Sequence, residues 1–283
     1  MNSINPKVSV VLNAYRRRRN LPNQVQAILS QTVEVQEILI WENGRDRDSE
    51  GPLRVPEATY IASSTQNLGV WARFTFALNA KGDFLWILDD DTIPGPRWLE
   101  SALCTFQSSP GVIGSRGLIF RSDRSYLGYR EVGPNFPNSE TTQVDLLGHN
   151  WVFPRKWLAY FFAEYGNRFD NPLAGEDIHL SYSVQKHLGL GCFVPPHLPE
   201  KKEHWGELVE KSLYSGRDAA AISADLVSLK KFEKAFRHYV SLGFTPLAVG
   251  QATAKDKALG LTLGRFPILA TKFARLLGKG TRS

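Results

Sequence analysis

The sequence predicts an α/β protein: a mostly parallel sheet flanked by helices, with a C-terminal helical appendage. Two observations predict it. Apolar, β-branched runs alternate along the chain with stretches whose apolar residues recur at helical spacing. One of the runs, Phe84-Leu85-Trp86-Ile87-Leu88, stops abruptly at Asp89, Asp90 and Asp91, as a buried strand does where an open sheet meets its ligand. At 283 residues, 42% hydrophobic and 22% charged, the chain is long and apolar enough for a sizeable core.

The elements follow in order. "KVSVVLNAY" (7 to 15) reads as a buried strand, bounded by Pro6 and by a polar run. "LPNQVQAILSQT" (21 to 32) has a proline near its start and apolar residues at helical spacing, and reads as a helix. "QEILIWENG" (36 to 44) is a strand ending in a turn, and "TYIASS" (59 to 64) a shorter one. "GVWARFTFALNAKG" (69 to 82) reads as one helix, with Gly82 near its C-terminal end, before the strand that meets the aspartates. "GPRWLESALCTFQSS" (95 to 109) reads as a helix and "GVIGSRGLIF" (111 to 120) as a single strand. Residues 121 to 145, rich in Gly, Pro, Asn and Ser, read as loop or irregular β. "VDLLGHNWVFPRKWLAYFF" (144 to 162) predicts a strand then a helix, "EDIHLSYSVQKHL" (176 to 188) a helix, and "GCFVPP" (191 to 196) a short strand. Past about 205 the chain turns alanine- and lysine-rich and helical, so the expected division is a domain over 1–205 and a basic helical extension over 206–283.

Net charge is +6 and the pI about 9.3. That balance suits a polyanionic partner (nucleic acid, an anionic lipid surface or a phosphate-bearing substrate) or a plain solvated basic surface. No zinc-finger, RNP or helix-turn-helix signature accompanies it, so nucleic acid is not the expected partner. Cys104 and Cys192 form no CxxC pair, and both are expected to be packed in the interior. No basic segment leads into an apolar stretch at the N-terminus, and no run of about 18 apolar residues occurs. The expected compartment is the reducing cytoplasm.

Three adjacent carboxylates repel one another, and burying one unpaired is costly. They are explained if a hard divalent cation neutralises them, because magnesium and manganese take oxygen ligands and are completed by substrate phosphates. A solvated acidic strand end that caps the next helix is the competing explanation. "NLGVWAR" (67 to 73) tips the balance. Asn67 and Gly69 suit a turn before a helix N-terminus, where free amides meet phosphate. Arg73, one turn further on, can fork onto a phosphate or onto one of the aspartates.

In the order "VSVVLNAYRRRRNL", "ILIWENG", "NLGVWARFTFALNAKGDFLWILDDDT" and "GEDIHLSYSVQKHLGLGCFV", the chain resembles nucleotide-sugar glycosyltransferases of the GT-A fold, most of all the family 2 class. "DDDT" and "GEDIHLSYSV" are also similar to the C-terminal domain of exostosin-like N-acetylhexosaminyltransferases. The resemblance covers roughly residues 6 to 205. It implies a donor that is a nucleotide diphosphate sugar, a glycan or lipid-linked acceptor, and a divalent cation, manganese or magnesium. It places Ala14, Tyr15 and Arg16 against the nucleotide. It puts Glu42 or Asn43 where the family usually has an aspartate on the base, and this departure leaves the base open. Asp89 and Asp91 match the DxD-like signature, Asp91 as metal ligand and Asp89 toward ribose or metal-bound water, with Asp90 able to replace either.

The chemistry agrees with that assignment. A sugar leaves a nucleoside diphosphate as negative charge builds on the leaving oxygens, and a bound cation stabilises that charge without proton transfer. The attacking hydroxyl needs a base. Glu176 and Asp177 follow Gly175 at a helix start, where the helix dipole favours the anion. The resemblance makes Asp177 the base of an inverting reaction and Glu176 an acceptor contact; a structural acidic pair at the helix N-terminus is the alternative. His149, Asn150 and Trp151 fall in a segment that floors the acceptor pocket of similar enzymes. Of the late histidines, His204 is the first choice as a metal ligand and His197 the second. Lys211 and Arg217 lie in a stretch (210 to 220) that reads as a lid over the diphosphate.

The basic, apolar tail from about Thr262 suits either peripheral contact with the inner face of the membrane or packing on the domain. Two further readings stay open: a retaining, exostosin-like transferase, and a non-catalytic nucleotide- or polyanion-binding module of the same fold.

Overall fold

The structure, a computed structural model, describes residues 6–44, 51, 53–213 and 226–248. Its first half alternates strand and helix: β1 (Val8–Ala14), α1 (Leu21–Leu29), β2 (Glu37–Glu42), β3 (Tyr60–Ser63), α2 (Ala72–Phe76), β4 (Phe84–Leu88) and α3 (Trp98–Ser108). Then come β5 (Gly111–Ile113), β6 (Arg116–Ile119), β7 (Arg130–Val132), β8 (Thr142–Val144), β9 (Leu146–Gly148) and β10 (Asn150–Pro154). The described chain closes with α4 (Leu158–Ala163), α5 (Glu176–Leu188), β11 (Gly191–Val194) and α6 (Leu226–Ser241).

Eight strands form one sheet in the order β3-β2-β1-β4-β10-β5-β11-β8. β1 runs parallel to both β2 and β4, while β10 lies antiparallel between β4 and β5. The parallel strands are continuous apolar runs because both faces are covered. In β1, Val11 enters the core on one face while Val10 and Leu12 enter the other. In β4, Leu85 and Ile87 divide from Trp86 and Leu88 in the same way. Fully burying each such side chain stabilises by roughly 1.5–3 kcal/mol, so the sheet's centre is a firm platform for the loops at its strand ends. The carboxyl ends of β1, β2 and β4 finish side by side, beyond Leu12↔Leu88 and Ala14↔Glu42.

Three expectations need correction. The stretch 69 to 82 is not one helix: α2 starts only at Ala72 and tightens into a 3-10 turn over Ala77–Asn79. Gly69 is held in a turn with φ of +79°, and Val70 N–H donates to the Pro172 carbonyl, which delays the helix. The stretch 111 to 120 is two strands in two sheets, broken where Gly114 passes the Asn150 carbonyl so closely that a Cβ would sit 2.7 Å away. The stretch 121 to 145, read as loop or irregular β, does carry two short strands, β7 and β8; β7 pairs with β6, and β6 with β9, in a second, antiparallel sheet. Cys104 is exposed on α3, because it faces away from the sheet; Cys192 is buried.

Candidate active site

The "DDD" motif emerges from β4 onto a surface of arginines and amides. Arg17, just past β1, places Nη1 2.5 Å from Asp90 Oδ1 and 3.1 Å from Asp91 Oδ2. The Tyr15 amide donates to Asp90 Oδ2 at 3.3 Å. Asn20 Nδ2 donates to the Asp90 carbonyl (2.9 Å), and Gln24 Nε2 to the carbonyls of Asp89 (2.7 Å) and Thr92 (3.0 Å). The loop is therefore fixed from α1, so the three carboxylates keep one arrangement. Burial pushes Asp90 up to about 7 against the pull of Arg17. Burial and the neighbouring Asp89 also raise Asp91. A site in which acids resist ionising is short of positive charge.

Arg73 lies buried in α2. Its Nη1 grips Asp89 Oδ1 and its Nη2 grips Glu176 Oε1 at the first turn of α5. The guanidinium stands 4.6 Å from the centroid of the Trp151 ring, a cation–π platform beneath the fork. Glu176 is raised by burial, against the attraction of Arg73. Asp177 beside it is pushed up to about 8, first by burial and then by Glu176. Gly175, with φ of +98°, turns the chain into α5 so that both acids fall on its first turn.

The other predicted residues divide. At the end of β2, Glu42 is buried, receives the Ser63 hydroxyl and lies 3.2 Å from Arg18 Nη2. Asn43 stitches the next loop: its Nδ2 donates to Asn67 Oδ1 (2.9 Å) and to the Gly69 carbonyl (3.2 Å), and its Oδ1 accepts from the Leu68 amide (2.8 Å). Ala14 is buried, and its carbonyl accepts the Asn43 amide. Arg16 takes φ of +60° and lies over the Tyr15 ring.

His149 also has positive φ, +70°. This turns its carbonyl to accept from the Asp89 amide (2.8 Å) and the Thr92 hydroxyl (3.1 Å). Arg116 can only donate, so its 2.8 Å contact makes His149 Nε2 the acceptor, and Nδ1–H donates to Glu207 at 2.6 Å. Burial lowers the His149 pKa, but Glu207 outweighs it and the net direction is upward. Asn150 and Trp151 are buried, Asn150 donating to the Gly206 carbonyl and Trp151 to that of Leu147.

His204 sits beside α3. Its Nδ1 is bonded to Ser101 on α3 at 2.7 Å, because the segment carrying it pairs with Gly95 and Arg97. His197 is fully buried, its ring bonded to the Pro195 carbonyl, and burial lowers it to about 4. Lys211 lies in a short 3-10 turn over Val209–Lys211; Arg217 and the basic tail from Thr262 lie outside the described residues.

Sequence reasoning missed Arg17, Asn20, Gln24, Arg116 and Glu207. Arg17 sits in a run of four arginines, where no periodicity says which one turns inward. Glu207 faces the site only because residues 203–208 run back along 93–97.

Among the described residues the acids here outnumber the guanidiniums that grip them. Asp89, Asp90, Asp91, Glu176 and Asp177 face the guanidiniums of Arg17 and Arg73. Among the described residues no group of three or more His, Cys, Asp or Glu side chains can hold a metal by itself. None of the described helices is long and apolar enough to cross a membrane.

The model of glycosyl transferase family 2 matches residues 9–165, a span that begins in β1 and includes Asp89, Asp90 and Asp91. Over 122 residues the chain is 26% identical to the glucosyl-dolichyl phosphate glucuronosyltransferase of Haloferax volcanii, which covers 40% of this chain and 38% of that relative. The chain thus aligns with well under half the length of the curated relative it matches.

Proposed function

The chain belongs to glycosyl transferase family 2, and on that premise we propose that it transfers a sugar from a nucleotide diphosphate sugar to a hydroxyl of a glycan or lipid-linked acceptor. Its architecture is the GT-A arrangement: a mostly parallel sheet with helices on both faces and the acidic motif at the strand ends. The observation that carries the reading is Arg73. One guanidinium ties the "DDD" motif after β4 to the "ED" pair opening α5, so a donor-side acid and an acceptor-side acid share one anchor.

The charge balance supports a divalent cation. A diphosphate brought to a cleft where, among the described residues, five carboxylates face the guanidiniums of Arg17 and Arg73 needs compensating positive charge. Asp91 and Asp89 would hold the cation, and substrate phosphates would complete its oxygen shell. His204, whose Nδ1 is bonded to Ser101, would offer its Nε2, which lies 3.8 Å from Glu203 Oε1. The cation supplies charge stabilisation for the departing diphosphate. The chain's own residues do the rest in this reading. Ala14, Tyr15, Arg16, Glu42 and Asn43 line the nucleotide, and Asn67 and Gly69 shape the turn beside it. Asp177 takes the proton of the attacking hydroxyl, with inversion at the anomeric carbon. A base kept partly protonated by burial is matched to an alcohol better than an ordinary carboxylate is. The C-terminal stretch over 206–283 extends the unit and contributes Glu207; its basic tail suits an anionic membrane surface on the cytoplasmic side. The glucuronosyltransferase named above acts, by its name, on a dolichyl phosphate sugar, which makes a lipid-linked acceptor the first to try.

The test is a thermal melt against UDP, GDP, CDP, ADP and dTDP, each with and without manganese, for wild type and Asp91→Ala. A ligand that binds only the folded state raises Tm by mass action. Expected is one nucleotide that stabilises with metal and loses the effect in Asp91→Ala. No shift with any pair would overturn the reading.

A further inference from the structure

Behind the acid pair lies a directed chain of hydrogen bonds that the transfer reading leaves unused. His179, two residues past Asp177, is fully buried. Its Nε2–H donates to the Phe161 carbonyl at 2.8 Å, since a carbonyl can only accept. Nδ1 must then accept, and the Tyr239 hydroxyl donates to it at 3.0 Å. The Tyr239 oxygen in turn accepts the Phe169 amide at 2.9 Å. Burial lowers His179 to about 4, so a single neutral tautomer fits the chain at ordinary pH.

Tyr239 is on α6 and is itself fully buried, against Tyr182 and His179. Phe169 opens the segment that leads through Gly175 to Glu176 and Asp177. That segment is held from both sides. On the α6 side, His238 Nε2 donates to the Asn167 carbonyl at 2.7 Å, and Ala235 Cβ would lie 3.4 Å from a Cβ on Gly175. On the donor side, the Val70 amide donates to the Pro172 carbonyl at 2.8 Å and Trp71 Nε1 to the Asn171 carbonyl at 2.9 Å. The Trp71 ring also meets the His179 ring at 5.1 Å.

We propose that Tyr239 is a positioning residue for the Glu176–Asp177 pair: through Phe169 and His179 it fixes the 169–175 segment, and so keeps the acids in register with the donor-side turn at Gly69–Trp71. The helix outside the matched family region would thereby complete the site. The inference rests on the acid pair serving the acceptor hydroxyl.

The test compares the full chain with Tyr239→Phe, which keeps the ring and removes only the hydroxyl. Ile28→Val on α1, buried on the other face of the sheet, controls for a general loss of stability. Hydrogen exchange needs no acceptor and is read first. Expected is at least tenfold faster exchange at the amides of 169–179 in Tyr239→Phe, with β1 and β4 unchanged, and no such local change in Ile28→Val. Release of UDP from UDP-glucose or UDP-glucuronate with manganese should then show kcat down about tenfold and donor KM within about twofold. Wild-type exchange at 169–179, or faster exchange there with kcat retained, would overturn the proposal. Asp177→Asn separates the two readings: if it keeps full turnover, the base assignment falls, whatever Tyr239 does.

Discussion

Arg73 reaches Glu176 across 103 residues of sequence, and the pair is buried. Removing one partner of a buried ion pair leaves an uncompensated charge and costs about 3–5 kcal/mol. Arg73→Ala strands both Asp89 and Glu176. It should lower stability by about that amount, read by urea denaturation at neutral pH, and abolish the nucleotide-dependent Tm shift. Arg73→Lys should recover part of the stability but little of the activity, because an ammonium cannot fork between two carboxylates.

Asp177 gives a pH signature. Its folded pKa is about 8, raised by burial and by Glu176. Activity that needs the ionised base should climb with pH through that value in a kcat/KM profile, and Asp177→Asn should lose on the order of 10²–10⁴ in turnover. The stability sign is the reverse. The folded state holds this proton more tightly than the unfolded state, so stability contributed by Asp177 falls as pH rises from the ordinary carboxylate value toward about 8. Asp177→Asn should remove that part of the slope in Tm against pH.

Gly69 admits no side chain. A Cβ there would lie 1.9 Å from the Pro172 carbonyl oxygen, and φ is +79°. Gly69→Ala must move the 169–175 segment or the donor-side turn. A loss of about 1–3 kcal/mol is expected for the backbone strain alone, measured by denaturation, together with a weaker nucleotide-dependent Tm shift.

His149 depends on Glu207. With Glu207 present the ring titrates above the ordinary histidine value, because the carboxylate outweighs burial and the opposing Arg116. In Glu207→Gln the larger upward pull is gone, and only that of Asp91 remains against burial and Arg116. The His149 pKa should then fall from its wild-type value, a shift readable by NMR of the ring protons.

Much of this was legible from residue order. Buried parallel strands announce themselves as unbroken apolar runs, so β1, β2 and β4 and the turn at "DDD" could be read with no partner in view. The helix over Glu176–Leu188 was legible as well, since glycine on both sides marks its ends. The limits and pairing of the short antiparallel strands were not. β7 and β8 are three residues each, too short for alternation to show, and their pairing is decided by strands distant in sequence. The same holds for the break at Gly114, which exists because the Asn150 backbone passes there.

The sequence by itself determined the parallel strands β1, β2 and β4, the acidic motif at their carboxyl ends and the family, because local periodicity and motif order are written in neighbouring residues. Only the tertiary structure decided which charges meet. Of the four consecutive arginines it is Arg17 that turns onto Asp90, Glu207 joins His149, and Arg73 binds two motifs at once. An ion pair depends on a few ångströms between side chains far apart in the chain, and that distance is set by packing, which no local pattern encodes.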